Sequence, residues 1–233
     1  MNGSWLPAVR ADMRERFVVN LRVPAEAAPV PKPLQPQLVG GWAVASFCVL
    51  DLHNITIAPL PTVAGWRSRS CAERWGALDP EPSVYVAERL TSSRVGSAFT
   101  HLGFSAPHSL VDLDVVKDRR VGRVRASVRG TTILDARLAR DGDLASSVFD
   151  DVTSFSRFLA DGVRSYGPSR HTGRLTVLDL HKRDTSYEPL AVEEATGSFI
   201  DSWTAVGAEI DSAFRTVDAD YEWRYHGLLD AAR

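Results

Sequence analysis

DLDVVKDRRVGRVRASVRGTTILDARL, the stretch from Asp112 to Leu138, holds three apolar–polar alternations separated by two short polar breaks. Asp112–Val116, Val121–Val128 and Thr131–Leu138 each repeat with period two, the signature of a strand with one covered face. Asp118-Arg119-Arg120 makes the first break, and Arg129-Gly130 is a two-residue link of the kind that closes a hairpin. The segment predicts an antiparallel meander.

Working upstream, Ser83–Leu90 alternates in the same way, and Trp42–Leu50 is continuously apolar behind Gly40-Gly41, as in a strand covered on both faces. Phe17–Val23 puts Phe17, Val19, Leu21 and Val23 on one side. Between these two strands, Pro24–Pro36 carries five prolines in 13 residues, which fix φ and remove donors, so an ordered extended crossing is expected. Pro59 and Pro61 bracket a turn. The polar segment Arg67–Pro82, with Gly76 and Pro80, reads as a loop with a short helix at most.

Downstream, Asp150–Tyr166 places Val152, Phe155, Phe158, Leu159 and Val163 on one helical face, with Asp150 and Asp151 at the positive end and Gly167-Pro168 as the stop. Leu175–Leu180 is another strand. Phe199, Trp203, Val206, Ile210 and Phe214 have helical spacing, and Asp220–His226 alternates again. About eight strands and one or two helices give a single α+β domain over residues 1–233, mostly antiparallel β.

At 233 residues, 44% hydrophobic and 24% charged, the chain has a globular composition. A chain of this length buries roughly 70–75% of its extended surface and needs no staples. A net charge of −2 creates no global field for nucleic acid. No apolar run approaches the ~18 residues of a membrane span, and Asp12, Arg14, Glu15 and Arg16 stand where a secretory leader would be apolar. Cys48 and Cys71 read as free thiols, which fits a cytoplasmic location. Only Lys32, Lys117 and Lys182 are lysines, so few groups are suited to imine chemistry.

The densest group of functional side chains runs from His101 through His108 to Asp112 and Asp114. Two imidazoles and two carboxylates suit proton transfer or ligand contact. The six-residue gap between the histidines matches no zinc pattern, and no metal is expected. Lys117, Arg119, Arg120, Arg123, Arg125 and Arg129 form either a carboxylate cradle or a solvated hairpin. No aromatic residue interleaves them, which speaks against single-stranded nucleic acid. Glu88 and Arg94 flank a strand end, Glu88 as a general acid or as a surface ion-pair partner. Trp42, Trp203 and Trp223 suit a core or the wall of a small-molecule pocket. No P-loop, dinucleotide fingerprint, serine-hydrolase elbow or zincin motif is present, so no nucleotide or other cofactor is expected.

Four segments together resemble the acetoacetate decarboxylase superfamily, in particular its large bacterial branches. Arg14-Glu15-Arg16-Phe17 leading into Leu21-Arg22 is similar to the family's first strand. Val30-Pro31-Lys32-Pro33-Leu34 is similar to its proline loop. Gly96–Val111 sits where the family has its active-site segment, ending in the Val-Asp-x-Asp strand at Val111–Asp114, and an arginine-bearing hairpin follows. The resemblance implies a cone-shaped β-barrel or packed sheets around an apolar pocket, and mild oligomerisation. It departs at one point. Thr100 and His101 stand where the family's decarboxylases carry a lysine pair, one cation lowering the pKa of the other. A hydroxyl forms no imine.

Carried over residue by residue, the resemblance makes Arg14 the carboxylate-binding arginine and puts His101, His108 and Glu88 on the same cavity as the expected catalytic groups. Arg94 and Trp42 are the further ligand contacts expected from the sequence. The expected function is binding of a small oxo-acid or other carboxylate without Schiff-base chemistry. The alternative is a lysine-independent lyase, hydratase or isomerase acting on a small oxo- or hydroxy-acid, with a cation holding an enolate oxygen and an imidazole moving its proton. No membrane or nucleic-acid partner is expected, and a homo-oligomer is.

Overall fold

Period-two alternation is carried through most of the chain, and the computed structural model is accordingly built on fourteen strands and three short helices among its described residues, 6–101, 108–117, 121–140, 143–161, 163–182 and 186–231. In chain order these are β1 (Val9–Val23), β2 (Gln35–Pro36), β3 (Leu38–Val39), β4 (Trp42–Ile57), β5 (Trp66–Asp79), β6 (Glu81–Thr91), α1 (Arg94–His101), β7 (Ser109–Leu110) and β8 (Asp112–Lys117). There follow β9 (Val121–Val128), β10 (Thr131–Arg140), α2 (Val152–Asp161), β11 (Arg164–Pro168), β12 (Arg174–Lys182), β13 (Glu188–Thr196), α3 (Ser198–Thr204) and β14 (Glu209–Asp230).

Seven strands close on themselves in the order β1-β4-β5-β6-β11-β12-β14, with β14 returning to β1. Every neighbouring pair in this ring is antiparallel except β6 and β11, which run parallel over two residues. The 22-residue β14 lies along β1 on one edge and meets both β12 and β13 on the other. Through β13 the sheet continues as a wing, β13-β10-β9-β8. Arg129 and Gly130 both take positive φ, 51° and 83°, as the tight hairpin between β9 and β10 demands.

Opposite faces of the same strands build two different interiors. Phe17, Val19 and Leu21 of β1, Ala45, Phe47 and Val49 of β4 and Trp75 of β5 point out of the ring and are covered by Val124, Ala126, Leu134 and Leu138 of the wing. The intervening residues point into the ring. That double burial is why Trp42–Leu50 is apolar throughout. One end of the ring is stoppered by α2, whose Phe155 and Leu159 pack among Val44, Phe149 and Phe214.

Three elements differ from the sequence reading. Arg67–Pro82 is occupied by β5 up to Asp79 and by the start of β6; the inward residues Ser68, Ser70 and Arg74 of β5 line a polar part of the ring's interior and so mask the alternation. The helix expected over Asp150–Tyr166 ends at Asp161, and Arg164–Pro168 pairs as β11, with Gly167 pressed against the Val86 carbonyl. The helix expected from Phe199 to Phe214 is only α3. Gly207, at φ 86°, turns the chain, and Phe214 already belongs to β14. The break at Asp118-Arg119-Arg120 lies outside the described residues.

Candidate functional site

The ring encloses a cavity of about 220 Å³ to which all seven of its strands contribute. Two local irregularities decide which side chains enter it. Arg14 is skipped in the pairing of β1 with both β4 and β14, so the strand gains one residue and its alternation flips. Arg16 consequently points inward, whereas Arg14 is held on the exposed side by Asp218 at 3.5 Å and Asp12 at 3.7 Å. In β6, Ala87 is skipped opposite β5, which sends Arg89 inward and leaves Glu88 outside, facing Glu73.

Three guanidiniums therefore line one cavity: Arg16 from β1, Arg74 from β5 and Arg89 from β6. Arg16 is only 3% exposed; its Nε donates to the Cys48 sulfur at 3.2 Å and its Nη1 to the Tyr221 hydroxyl at 3.4 Å. Arg89 Nη2 donates to Ser165 Oγ at 3.3 Å. Arg16 Nη2, Arg74 Nε and Arg89 Nε are buried without any acceptor. Among the described residues none of the three has a carboxylate partner.

Burial, and then the charge of Arg16, lower the Arg74 pKa below its ordinary value. Burial and the Arg74 charge bring Arg89 down to about 10, which still leaves it cationic at neutral pH. Burial also works against the Arg16 charge, but the facing Cys48 and Tyr221 more than offset it and raise its pKa. Most of the remaining wall is apolar, with Leu50, Leu52, Ile55, Trp66, Leu180 and Trp223, interrupted by the hydroxyls of Ser68, Ser70, Thr91 and Ser165. Such a chamber repels cations and rewards an anion with an apolar body.

His108 also lines this cavity, next to Gly96 of α1, and its carbonyl accepts from Ser97 Oγ at 3.0 Å. His101 ends α1, but its side chain, like that of Thr100, lies outside the described residues, as do residues 102–107. The structure thus puts His108 on the wall of the cavity that the buried arginines line, and Arg14, Glu88, Arg94 and Trp42 do not line it. Glu88 and Arg94 are exposed, and Trp42 packs toward the α2 stopper with the Arg22 guanidinium 5.1 Å from its ring. Arg16, and not Arg14, is the arginine of this segment that faces the cavity, the bulge having set their orientations.

Cys71 faces the wing side of β5 while touching the cavity, and burial raises its thiol pKa far above the usual range, which makes it a poor nucleophile. Arg123 forks onto Asp135 with two 2.7 Å bonds on the exposed wing, the solvated-hairpin reading of that cluster. Asp112 and Asp114 are exposed on the same face of the wing. Among the described residues no group of three or more potential ligands converges on a metal position. No helix among them is long and apolar enough to cross a membrane.

Arg16, Arg74 and Arg89 share a sequence feature that would have found them. Each follows a glutamate, in Glu15-Arg16, Glu73-Arg74 and Glu88-Arg89, within a strand whose other inward residues are small or apolar. In each dipeptide the glutamate goes to the outer face and the arginine to the inner one.

No family model matches the chain, and no curated protein does. Solved structures match it over nearly its full length. An acetoacetate decarboxylase from Legionella pneumophila is 12% identical, with a TM-score of 0.68 over 99% of this chain and 90% of its own. The acetoacetate decarboxylase-like fold is present. An acetoacetate decarboxylase-like enzyme from Sphingomonas wittichii RW1 is 14% identical, with a TM-score of 0.62 over 97% of this chain and 94% of its own. The enduracididine biosynthesis enzyme MppR, in complex with pyruvate, is 13% identical, with a TM-score of 0.58 over 100% and 92% of the two chains. At such identities the likeness concerns the fold, and the chemistry has to be argued from this chain's own cavity.

Arg14→Ala tests the exchange of orientations. Arg14 has a side chain 52% exposed in its ion pairs, so the substitution is expected to change stability by less than about 1 kcal/mol. Anion affinity measured by titration calorimetry stays within twofold of the wild type. A tenfold loss would return the ligand contact to Arg14.

Proposed function

We propose that the ring binds a small carboxylate or oxo-acid, with Arg16 as the principal anion contact and without a covalent imine. The observation that carries this reading is the presence of three inward guanidiniums in a largely apolar cavity, with no carboxylate among the described residues to neutralise them. A buried cation without a counter-ion is costly, and a bound carboxylate removes that cost through charge-assisted, two-pronged hydrogen bonds. Among the described residues no lysine lines the cavity, so nothing there offers an amine for a Schiff base. Lys182 donates to the Leu159 carbonyl at 2.7 Å, at the α2 stopper. MppR in complex with pyruvate, on the same fold, supports a small oxo-acid as the class of occupant.

Turnover without a lysine is the second reading, favoured by the position of His108 on the cavity wall. An imidazole there would exchange a proton with the ligand while a guanidinium held the developing enolate oxygen.

The test combines thermal shift with borohydride trapping. Pyruvate and acetoacetate are expected to raise the melting temperature of the intact chain, and borohydride is expected to leave its mass unchanged. Arg16→Met, which keeps the stem and removes the donors, is expected to weaken binding roughly tenfold to a hundredfold, since hydrogen bonds to charged groups contribute about 1.5–3 kcal/mol each. A reduced adduct on any lysine would restore imine chemistry, and the absence of any shift across the panel would overturn anion binding.

A further inference from the structure

Arg16 alone suffices for one carboxylate, and the cavity contains two more guanidiniums that this contact does not use. Arg74 and Arg89 stand on adjacent strands, Arg74 opposite Val86 and Arg89 opposite Ala72, and both point into the ring. Like charges so placed repel, and among the described residues no carboxylate neutralises them: Arg74 Nε and Arg89 Nε have no acceptor, and Arg89 Nη2 donates to the neutral Ser165 hydroxyl. Gly167 of β11 borders the Arg89 guanidinium: a Cβ there would lie 3.8 Å from Nε and 3.9 Å from Nη2, at ordinary contact distance.

A monocarboxylate cancels one positive charge of three and leaves two in an apolar chamber. We infer that the ligand carries two acidic groups on one short skeleton, the first held by Arg16 and the second by the Arg74–Arg89 pair. This deepens the carboxylate reading above and rests on it. A second carboxylate and a phosphoryl group are the two forms of such a dianion, and both present oxygens that a pair of guanidiniums binds in a fork. The apolar wall formed by Leu50, Leu52 and Trp223 then takes the skeleton between or beside the two groups.

Calorimetric titration at constant ionic strength decides it, with pyruvate as the single anion, 2-oxoglutarate as the dicarboxylate and phosphoenolpyruvate as the phosphoryl form. At least one dianion is expected to bind tenfold or more tightly than pyruvate, and the tighter of the two identifies the second group. In Arg89→Met and in Arg74→Met that advantage collapses toward unity, while Arg89→Lys keeps part of it through its charge. The ratio of affinities within each variant is the readout, so a general weakening does not imitate the result. A cooperative melting transition shows that each variant is folded. Pyruvate and both dianions binding equally to the wild type would overturn the two-group ligand and leave the carboxylate reading standing. Failure of all three to bind would overturn both.

Discussion

Replacing Phe155 by alanine is expected to cost about 3–5 kcal/mol of stability, the range for a large aromatic removed from a packed core. Phe155 has no exposed surface. Its ring lies on Phe214 at 3.5 Å between centroids and 5° between planes, with Phe149 and Tyr187 edge-on at 5.1 and 5.4 Å. The ten-residue α2 is too short to hold its shape alone, so this contact is what seats it in the end of the ring. In a domain of this size the loss lowers the melting temperature by roughly 6–20 °C. A smaller void, bordered by Arg16, Arg74, Phe158 and Leu159, lies between the stopper and the arginine-lined cavity. Loosening α2 therefore lets water reach the arginines from below and weakens their hold on an anion as well. Chemical denaturation and calorimetry on the same preparation measure the two effects, and a cost below 1 kcal/mol would mean that α2 does not seal the ring.

Gly197→Ala is expected to be at least as damaging. Gly197 precedes α3 at φ 119° and ψ 169°, a region that side-chain-bearing residues avoid at a cost of about 1–3 kcal/mol. A Cβ there would also stand 2.5 Å from the Ile133 carbonyl oxygen and 2.7 Å from its carbon. Those are backbone atoms of β10, and no rotamer change relieves the overlap. Either α3 lifts, withdrawing the buried Phe199 and Ile200, or the wing shifts on the ring. Gly130→Ala is the comparison. It shares the positive φ, 83°, but its Cβ would meet nothing within 4 Å, so only the conformational cost of about 1 kcal/mol applies. If the two variants unfold at the same denaturant concentration, the contact with Ile133 is not what makes Gly197 necessary.

The outer construction of the molecule was legible in the sequence because it obeys ordinary patterning. The meander of β8, β9 and β10 alternates cleanly, since one face meets the core and the other meets water. The inner construction was hidden because β5 carries Ser68, Ser70 and Arg74 where a strand buried by packing alone would carry aliphatic side chains. Local rules fail where a site overrides them. Periodicity also misled at Phe199–Phe214, where five apolar residues at helical spacing belong to a seven-residue helix, a turn at Gly207 and the start of β14. The exchange of Arg14 for Arg16 had no local signal. It depends on a bulge shared by β1 and β14, segments about two hundred positions apart, with Asp218 at φ 50° opposite Arg14. His108 was placed by its neighbourhood in the sequence. Arg74 and Arg89 were recognisable only by comparing the three Glu-Arg pairs with one another.

The dual role of β14 bears on how the chain is made as well as on what it encloses. Residues 209–230 supply the last staves of the ring, pairing with β1 along one edge and with β12 and β13 along the other. A nascent chain on the ribosome that has not yet released them leaves β1 and β12 with bare edges, the kind of surface on which strands of other molecules assemble. Contacts of such long sequence separation form slowly, because the loops they close are entropically expensive. The three arginines lie on β1, β5 and β6, which β4 joins into one sheet without β14. The late closure by β14 is what turns that open sheet into an enclosed chamber.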